Sequence, residues 1–403
     1  MAPLVGLVGK ANVGKSTFFS AATLKTVEIA AFPFTTIKPN RGVAYLRAPC
    51  VCGEFNVQDN PVNSACVERN RLVPVELIDC PGLIRGAHMG KGLGNQFLDE
   101  VRKADALIVV CDVAGASDEN GQPCAPGTHD PLEDVKIFEE EFDLWLLGLV
   151  RQDWERVTRV SEAARKNVSE ALEQKLSGLG INAGHMTQAM GETGLDPYKP
   201  TTWSRQEQSH FATELRRASK PMIVAANKAD QDVAEENVKR LREAGYSVVP
   251  TSAEAELTLR RAAGAGMIRY RPGDEDFDVL KPEALTAGQR RGLDLIREWV
   301  LKRWDSTGVQ EVLNAAFFSL LDSILVYPVE DAEKLSDHAG RVLPDVYVVK
   351  KGTTAREFAG LIHADLKESF LFAIDARTKR RLGEDYVLQN NDVLQIVATK
   401  ARK

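Results

Sequence analysis

Eight residues near the N-terminus, Gly9-Lys10-Ala11-Asn12-Val13-Gly14-Lys15-Ser16, place a glycine, four residues and then Gly-Lys-Ser. The stretch lies between a short apolar run suited to a strand (Pro3 to Gly9) and a helix-compatible segment (Lys15 to Leu24). At such a turn consecutive backbone N–H groups converge on an anion, and the helix N-terminus adds partial positive charge. Lys15 can reach the outer phosphates of a nucleotide, and the Ser16 hydroxyl can bind Mg2+. Gly9, Asn12, Val13, Gly14, Lys15, Ser16 and Thr17 are therefore the expected phosphate contacts.

Further polar residues close apolar runs in the same way. "VPVELIDCPGL" ends a strand at Asp79, an expected magnesium-side ligand, with Gly82 placed to offer its N–H to a terminal phosphate. "ALIVVCD" (Ala106 to Asp112) reads as a strand buried on both faces. "KPMIVAANKAD" ends in Asn227-Lys228-x-Asp230, and "YSVVPTSAEAE" carries Ser252, Ala253 and Glu254 just past its strand. Strands alternating with helical stretches imply an α/β fold, a mostly parallel sheet with its ligand at the carboxyl ends of the strands.

The ordered set "GKANVGKS", "DCPG", "NKAD" and "TSA" resembles that of translation-factor-class GTPases. "FPFTTIKPNRG" and "DCPGLIRGAHMGKGLGNQFLDEVRKAD" narrow the resemblance to Obg-related GTPases of the YchF-like branch. It runs through nearly the whole chain and implies a P-loop GTPase (G) domain, GTP and GDP as ligands, and Mg2+ held by Ser16, Asp79 and a switch threonine, Thr36, with Thr35 as the fallback.

The carboxylate of Asp230 can accept from guanine N1–H and the exocyclic amine together, whereas adenine offers no such donor pair. Asn227 bridges the loops of the site, and the Lys228 stem lies against the base. The best-known YchF proteins carry glutamate in place of this aspartate and prefer ATP; here Asn-Lys-x-Asp is kept, so GTP is favoured. Where Ras-like GTPases place a water-orienting glutamine, this chain has Leu83. Asn12 matches an asparagine that in related GTPases helps coordinate potassium, and shaping the loop is the equal alternative. Lys15, Thr36, Gly82 and Asn12 make up the expected catalytic set. His88, amid Gly86, Gly90, Gly92 and Gly94, is read as part of a switch segment rather than as a catalytic base. Besides a GTPase, a nucleotide-gated binding module and an ATPase stay open.

Positioning these residues takes several elements. A chain of 403 residues exceeds one simple core. The expected divisions are a G domain over 1–270, a helical insertion at 113–219 projecting as a hairpin, a helical connector at 271–321, and a β-grasp domain over 322–403. Asp130-Pro131 starts a helix as cap and first residue, with Val135, Phe138, Phe142 and Trp145 at core spacing; "EAARKNVSEALEQKL" reads as a second helix. Strands, one helix and further strands at the C-terminal end resemble a TGS domain, the helix opening with the capping box Thr354 to Glu357 and lining up Phe358, Leu361, Ile362 and Leu366. Lys350, Lys351, Arg377, Lys379, Arg380 and Arg381 in that domain are candidates for RNA phosphates, and the ribosome is the expected partner.

The six cysteines fit reduced thiols in the cytoplasm rather than a disulfide scaffold. Cys50, Cys52 and Cys66 could begin a zinc site with Cys80 or His88 as fourth ligand, but no standard spacing is complete and ordinary thiols are preferred. A net charge of -6 argues against wholesale nucleic-acid coating, and neither DNA nor a membrane is an expected partner.

Overall fold

The computed structural model describes residues 3–23, 40–82, 85–89 and 100–399. Thr35, Thr36, Leu83, Gly90, Gly92 and Gly94 lie outside these residues. The described chain forms two compact units, one of Leu4–Gly42 with Leu77–Val312, the other of Met1–Pro3, Val43–Glu76 and Leu313–Lys403.

The first unit is built on a mostly parallel sheet. β1 (Leu4–Val8) leads through the glycine-rich turn into α1 (Lys15–Thr23). β2 (Asn40–Pro49), β3 (Ala65–Val67) and β4 (Asn70–Asp79) follow, and β2 and β4 carry the chain from one unit into the other. β5 (Ala106–Asp112), β6 (Met222–Asn227) and β7 (Val248–Thr251) complete the order β2-β4-β1-β5-β6-β7. β1 and β5 pair in parallel with Val8 opposite Val109, β5 and β6 with Asp112 opposite Asn227, and β6 and β7 with Asn227 opposite Thr251. This register lines up the polar residues that end each apolar strand along one edge of the sheet. β5, at the centre of this sheet, is buried along its whole length.

The insertion differs from the expected hairpin. α2 (Pro131–Arg151) begins as foreseen, with Asp130 Oδ1 accepting from the Leu132 N–H at 3.0 Å and Pro131 in the first turn. It is followed by α3 (Trp154–Ala163), α4 (Val168–Leu176), α5 (Ala183–Thr193) and α6 (Arg205–Ser219), a small bundle with its own core. The stretch expected as one helix from Glu162 to Leu176 breaks at Asn167, whose side chain caps α4 by accepting from the Ser169 N–H at 2.8 Å. Val135, Phe138 and Phe142 pack into the sheet's core, while Trp145 lies between that core and the bundle's. α7 (Ala234–Glu243) and α8 (Ala253–Gly264) follow β6 and β7.

The expected connector at 271–321 does not stand apart. A short antiparallel pair, β8 (Ile268–Arg269) and β9 (Asp278–Val279), and α9 (Ala287–Ile296) belong to the first unit. On either side of β9 and α9, Tyr270 and Thr307 are held by Glu256, a buried carboxyl whose Oε2 accepts from both at 2.6 Å each. Burial pushes this carboxyl upward, the two hydroxyl donors opposing it.

The second unit carries β10 (Ser323–Val329), β11 (Tyr347–Lys350), α10 (Ala355–Ile362), α11 (Ala364–Glu368), β12 (Phe370–Asp375), β13 (Arg381–Leu382) and β14 (Asp392–Ala398). Their sheet runs β11-β10-β14-β12-β13 with β10 parallel to β14. The Thr354–Glu357 capping box is present and Phe358 is fully buried. Leu361, expected on the same buried face, is 42% exposed, and Leu366 lies on α11, because the helix stops at His363 and folds back until Lys367 packs against Gly360. Residues 43–76, expected within the G domain, belong to this unit. Fully buried Arg71 donates to the Leu343 carbonyl and to Asp59 at 2.7 Å each, and Asn63 Nδ2 donates to the Val346 carbonyl at 2.9 Å.

Candidate functional site: a phosphate cradle and a base pocket

The glycine-rich turn makes backbone demands that its sequence meets. Gly14 has φ +90° and Gly9 φ +148°; a Cβ at Gly14 would collide with Asn227 Nδ2, and one at Gly9 with the Val110 carbonyl. Asn12 also takes a left-handed φ of 63°, which asparagine tolerates better than most residues. Lys15, buried at the start of α1, sends its ammonium to Asp79 Oδ1 at 2.6 Å, and Ser16 Oγ donates to Asp79 Oδ2 at 3.3 Å. Thr17 lies in the same helical turn, and Gly82 lies over the turn, its missing Cβ leaving 3.5 Å to the Ala11 nitrogen. The oxygen donors of Ser16 and Asp79 suit a hard cation such as Mg2+.

A second group converges from β5, β6 and β7. Asn227 Nδ2 donates to the carbonyl of buried Val13 at 2.8 Å, and its Oδ1 accepts from the Ala253 N–H at 3.0 Å, so one amide fastens the cradle to the loop after β7. Lys228 adopts φ 63° and reaches Asp112 Oδ2 at 2.6 Å. Asp230 is steadied by Ser252 Oγ, which donates to its Oδ1 at 3.0 Å. A cavity of about 370 Å³ opens beside it, lined by Asp230, Ser252, exposed Glu254, Thr258, Leu295 and Trp299.

Several of these partners were not legible as site residues. Asp112 ends an apolar strand at the same edge as Asp79, a signal available in the sequence. Lys10 Nζ donates to the Ser117 and Asp118 carbonyls at 2.8 Å each and to Asp134 at 2.9 Å, and Asn12 Nδ2 donates to the Gly121 carbonyl at 2.7 Å. Both contacts close over sequence distances beyond 100 residues, and no local pattern announces them. Trp299 and Leu295 come from a segment that reads only as an amphipathic helix.

His88 is engaged with α2. Its ring Nδ1 lies 2.7 Å from Glu141 Oε2 on α2, and Glu141 also accepts from the backbone N–H groups of Gly86 at 2.7 Å and His88 at 3.1 Å. Burial alone would raise this carboxyl, but these donors hold it below the usual carboxylate range. Cys80, which with His88 is a candidate fourth ligand for a zinc site that the sequence does not favour, is buried in the sheet's core, where burial pushes its thiol up to about 12.

Comparison with known proteins gives the family. A model described as 50S ribosome-binding GTPase matches residues 4–140, one described as Obg-like GTPase YGR210-like, G4 motif-containing domain matches 225–331, and one described as TGS domain matches 340–398. A GTP-binding protein of Methanocaldococcus jannaschii is 46% identical over 397 residues, covering 98% of this chain and 99% of its own. The chain belongs to the Obg-like, YchF-type P-loop GTPases. The crystal structure of a GTP binding protein from Pyrococcus horikoshii OT3 is 40% identical, with a TM-score of 0.77 over 99% of this chain and 100% of that one. The ribosome-binding ATPase YchF of Bacillus subtilis is 28% identical over 424 residues, covering 98% of each chain. In this YchF-type chain the expected α/β sheet and TGS domain are both present, and the basic candidates of the TGS region divide. Arg377 is held by both Glu54 oxygens at 2.6 and 2.7 Å and Lys379 by the Ala332 carbonyl at 2.7 Å, so these two serve packing within their unit.

Proposed function

We propose that the protein binds GTP between Lys15 and Asp230 and hydrolyses it to GDP and phosphate, acting as a nucleotide-dependent switch on ribosomes in the cytoplasm. The observation that carries this reading is Asp230, a carboxylate steadied by Ser252 at the edge of a cavity with room for a planar ring. Its two oxygens match the paired donors of guanine. Ser16 and Asp79, with Thr36 as the proposed third member, would hold Mg2+, which neutralises phosphate charge when bound. Lys15 would exchange its Asp79 partner for phosphate oxygens, and the Gly82 N–H would face the terminal phosphate.

Leu83 cannot orient water as a glutamine does, so charge neutralisation is proposed to fall to Lys15 and to a potassium ion held with the help of Asn12. The ribosome reading is supported by the name of the B. subtilis relative and by the TGS domain. The same name supports an ATPase as second reading; Asp230 argues against it.

Calorimetry with GTP, GDP and ATP at saturating Mg2+, beside phosphate-release assays, tests the proposal. GTP should bind at least roughly tenfold tighter than ATP, two charge-assisted hydrogen bonds being involved. Equal affinity for the two nucleotides would refute it. Co-sedimentation with ribosomes in GDP and in a non-hydrolysable GTP analogue checks the switch.

A further inference from the structure

The segment between β2 and β4 gathers chemistry that nucleotide binding does not use. Cys50 and Cys52 follow the end of β2 in a tight turn, with the Gly53 N–H donating to the Cys50 carbonyl at 3.2 Å and the Val57 N–H to the Cys52 carbonyl at 3.0 Å. Cys66 comes from β3, and Asp59 from the loop between. Cys50 Sγ lies 3.3 Å from Asp59 Oδ2, Cys52 Sγ lies 3.8 Å from Cys66 Sγ, and the ligand atoms of all four residues lie within 4.8 Å of one another. Cys50 and Cys52 are buried, at 6% and 4% exposure.

We propose that Cys50, Cys52, Asp59 and Cys66 form a structural zinc site. Zinc bonds of about 2.3 Å to sulfur and 2.0–2.2 Å to oxygen put neighbouring sulfurs of a tetrahedron about 3.8 Å apart and sulfur and oxygen about 3.6 Å apart; the Cys52–Cys66 separation matches, and the Cys50–Asp59 separation of 3.3 Å is slightly shorter. A disulfide needs about 2.05 Å, and all three cysteines are free thiols. Thiolate-rich tetrahedral donors select zinc over the hard divalent ions, and four protein ligands leave no open position, as in structural rather than catalytic sites.

The surroundings fit the charge. Three thiolates and a carboxylate around a divalent ion leave two negative charges in a mostly buried place. Arg71, opposite Cys66 across the β3–β4 pair and fully buried, donates to Asp59 Oδ2 at 2.7 Å and removes one of them. The same guanidinium donates to the Leu343 carbonyl at 2.7 Å and lies 5.5 Å from the Tyr327 ring centre. The ion would therefore fix the hairpin that this unit folds around, a place where metal binding adds to folding stability.

The test uses the full chain, reduced, stripped with chelator and returned to excess Zn2+ or Co2+. Expected are one zinc per chain by elemental analysis after dialysis and a Co2+ form with intense tetrahedral visible bands and thiolate charge-transfer absorption. Three thiols should be shielded from a thiol reagent until chelator is added. Asp59→Asn should weaken zinc retention at least roughly tenfold, and Cys66→Ser should abolish the charge-transfer pattern's three-thiolate intensity. Wild-type protein that retains no stoichiometric zinc, that gives a six-coordinate Co2+ spectrum, or whose thiols react equally with and without zinc overturns the site. A Cys52–Cys66 disulfide found by mass spectrometry in chain purified without reductant, with no zinc uptake after reduction, overturns it as well.

Discussion

Lys15 and Asp79 hold each other at 2.6 Å where the Asp79 side chain is wholly buried. Nucleotide phosphates must compete with that carboxylate for one ammonium, so Lys15→Ala has two separate effects. It removes charge-assisted hydrogen bonds worth roughly 1.5–3 kcal/mol each, and GTP affinity should fall at least tenfold by calorimetry, by about 1.4 kcal/mol per decade. It also leaves Asp79 without a counter-charge, which costs about 3–5 kcal/mol for a buried pair. Unliganded Lys15→Ala should therefore melt lower than wild type, and adding Asp79→Asn should recover most of the loss; no recovery would mean the pair is not what holds the turn. At Asp230, substitution by Asn should cost at least roughly tenfold in GTP affinity and shift preference toward xanthine nucleotides, whose additional oxygen meets the new amide. Asn12 donates to Gly121, so Asn12→Asp would set an oxygen against a carbonyl and is a poor control for ion binding. The cleaner measurement is wild-type hydrolysis in potassium against sodium, with partner and Mg2+ saturating: the proposal requires faster turnover in potassium, and equal rates would remove it.

At the scale of elements, α2 is the part that reaches the Gly86–His88 segment. Glu141 accepts from the Gly86 and His88 backbone, and Asp134 accepts from Lys10 and lies 2.7 Å from the His129 ring. Glu141→Ala leaves two N–H groups without their acceptor, one of them buried, and should destabilise the fold by about 1–3 kcal/mol. Amide exchange at Gly86 and His88 should speed up while the β5 amides stay protected. The same carboxyl sets a pH dependence. Its folded-state pKa is held below its unfolded value, so its contribution is present above about pH 4.3 and is lost as pH falls through the folded value. Denaturant midpoints measured from pH 5 to 3 should fall less steeply in Glu141→Gln than in wild type; parallel curves would show that Glu141 is not the titrating group.

For the whole molecule, the boundary near Asp322 is not where a unit ends. Arg71, Asn60 and Asn63 from residues 43–76 bond to residues 342–346, and Arg377 is paired with Glu54. A fragment of 322–403 alone would lose these partners and expose the face of Tyr327 that Arg71 covers. It should unfold at lower denaturant than a single chain joining 43–76 to 313–403 by a flexible linker. Equal midpoints would show that the β-grasp sheet needs nothing from the earlier segment.

How much of this was legible differs by the range of the forces involved. The phosphate turn, the strand ends at Asp79 and Asn227, the proline-capped start of α2 and the Thr354 capping box are local: a few backbone N–H groups, a fixed proline φ or a buried strand suffices, and the sequence alone determined them. The break at Asn167, the return of the chain at His363 and the engagement of His88 depend on which surface each segment meets, and similar local patterns serve either outcome. Lys10 with Asp134, Asn12 with Gly121, and Arg71 with Leu343 close across more than 100 residues, and only the tertiary structure decided them. The three cysteines stood in plain view without a complete spacing, because their fourth partner, Asp59, is an ordinary loop carboxylate until the chain folds it against them.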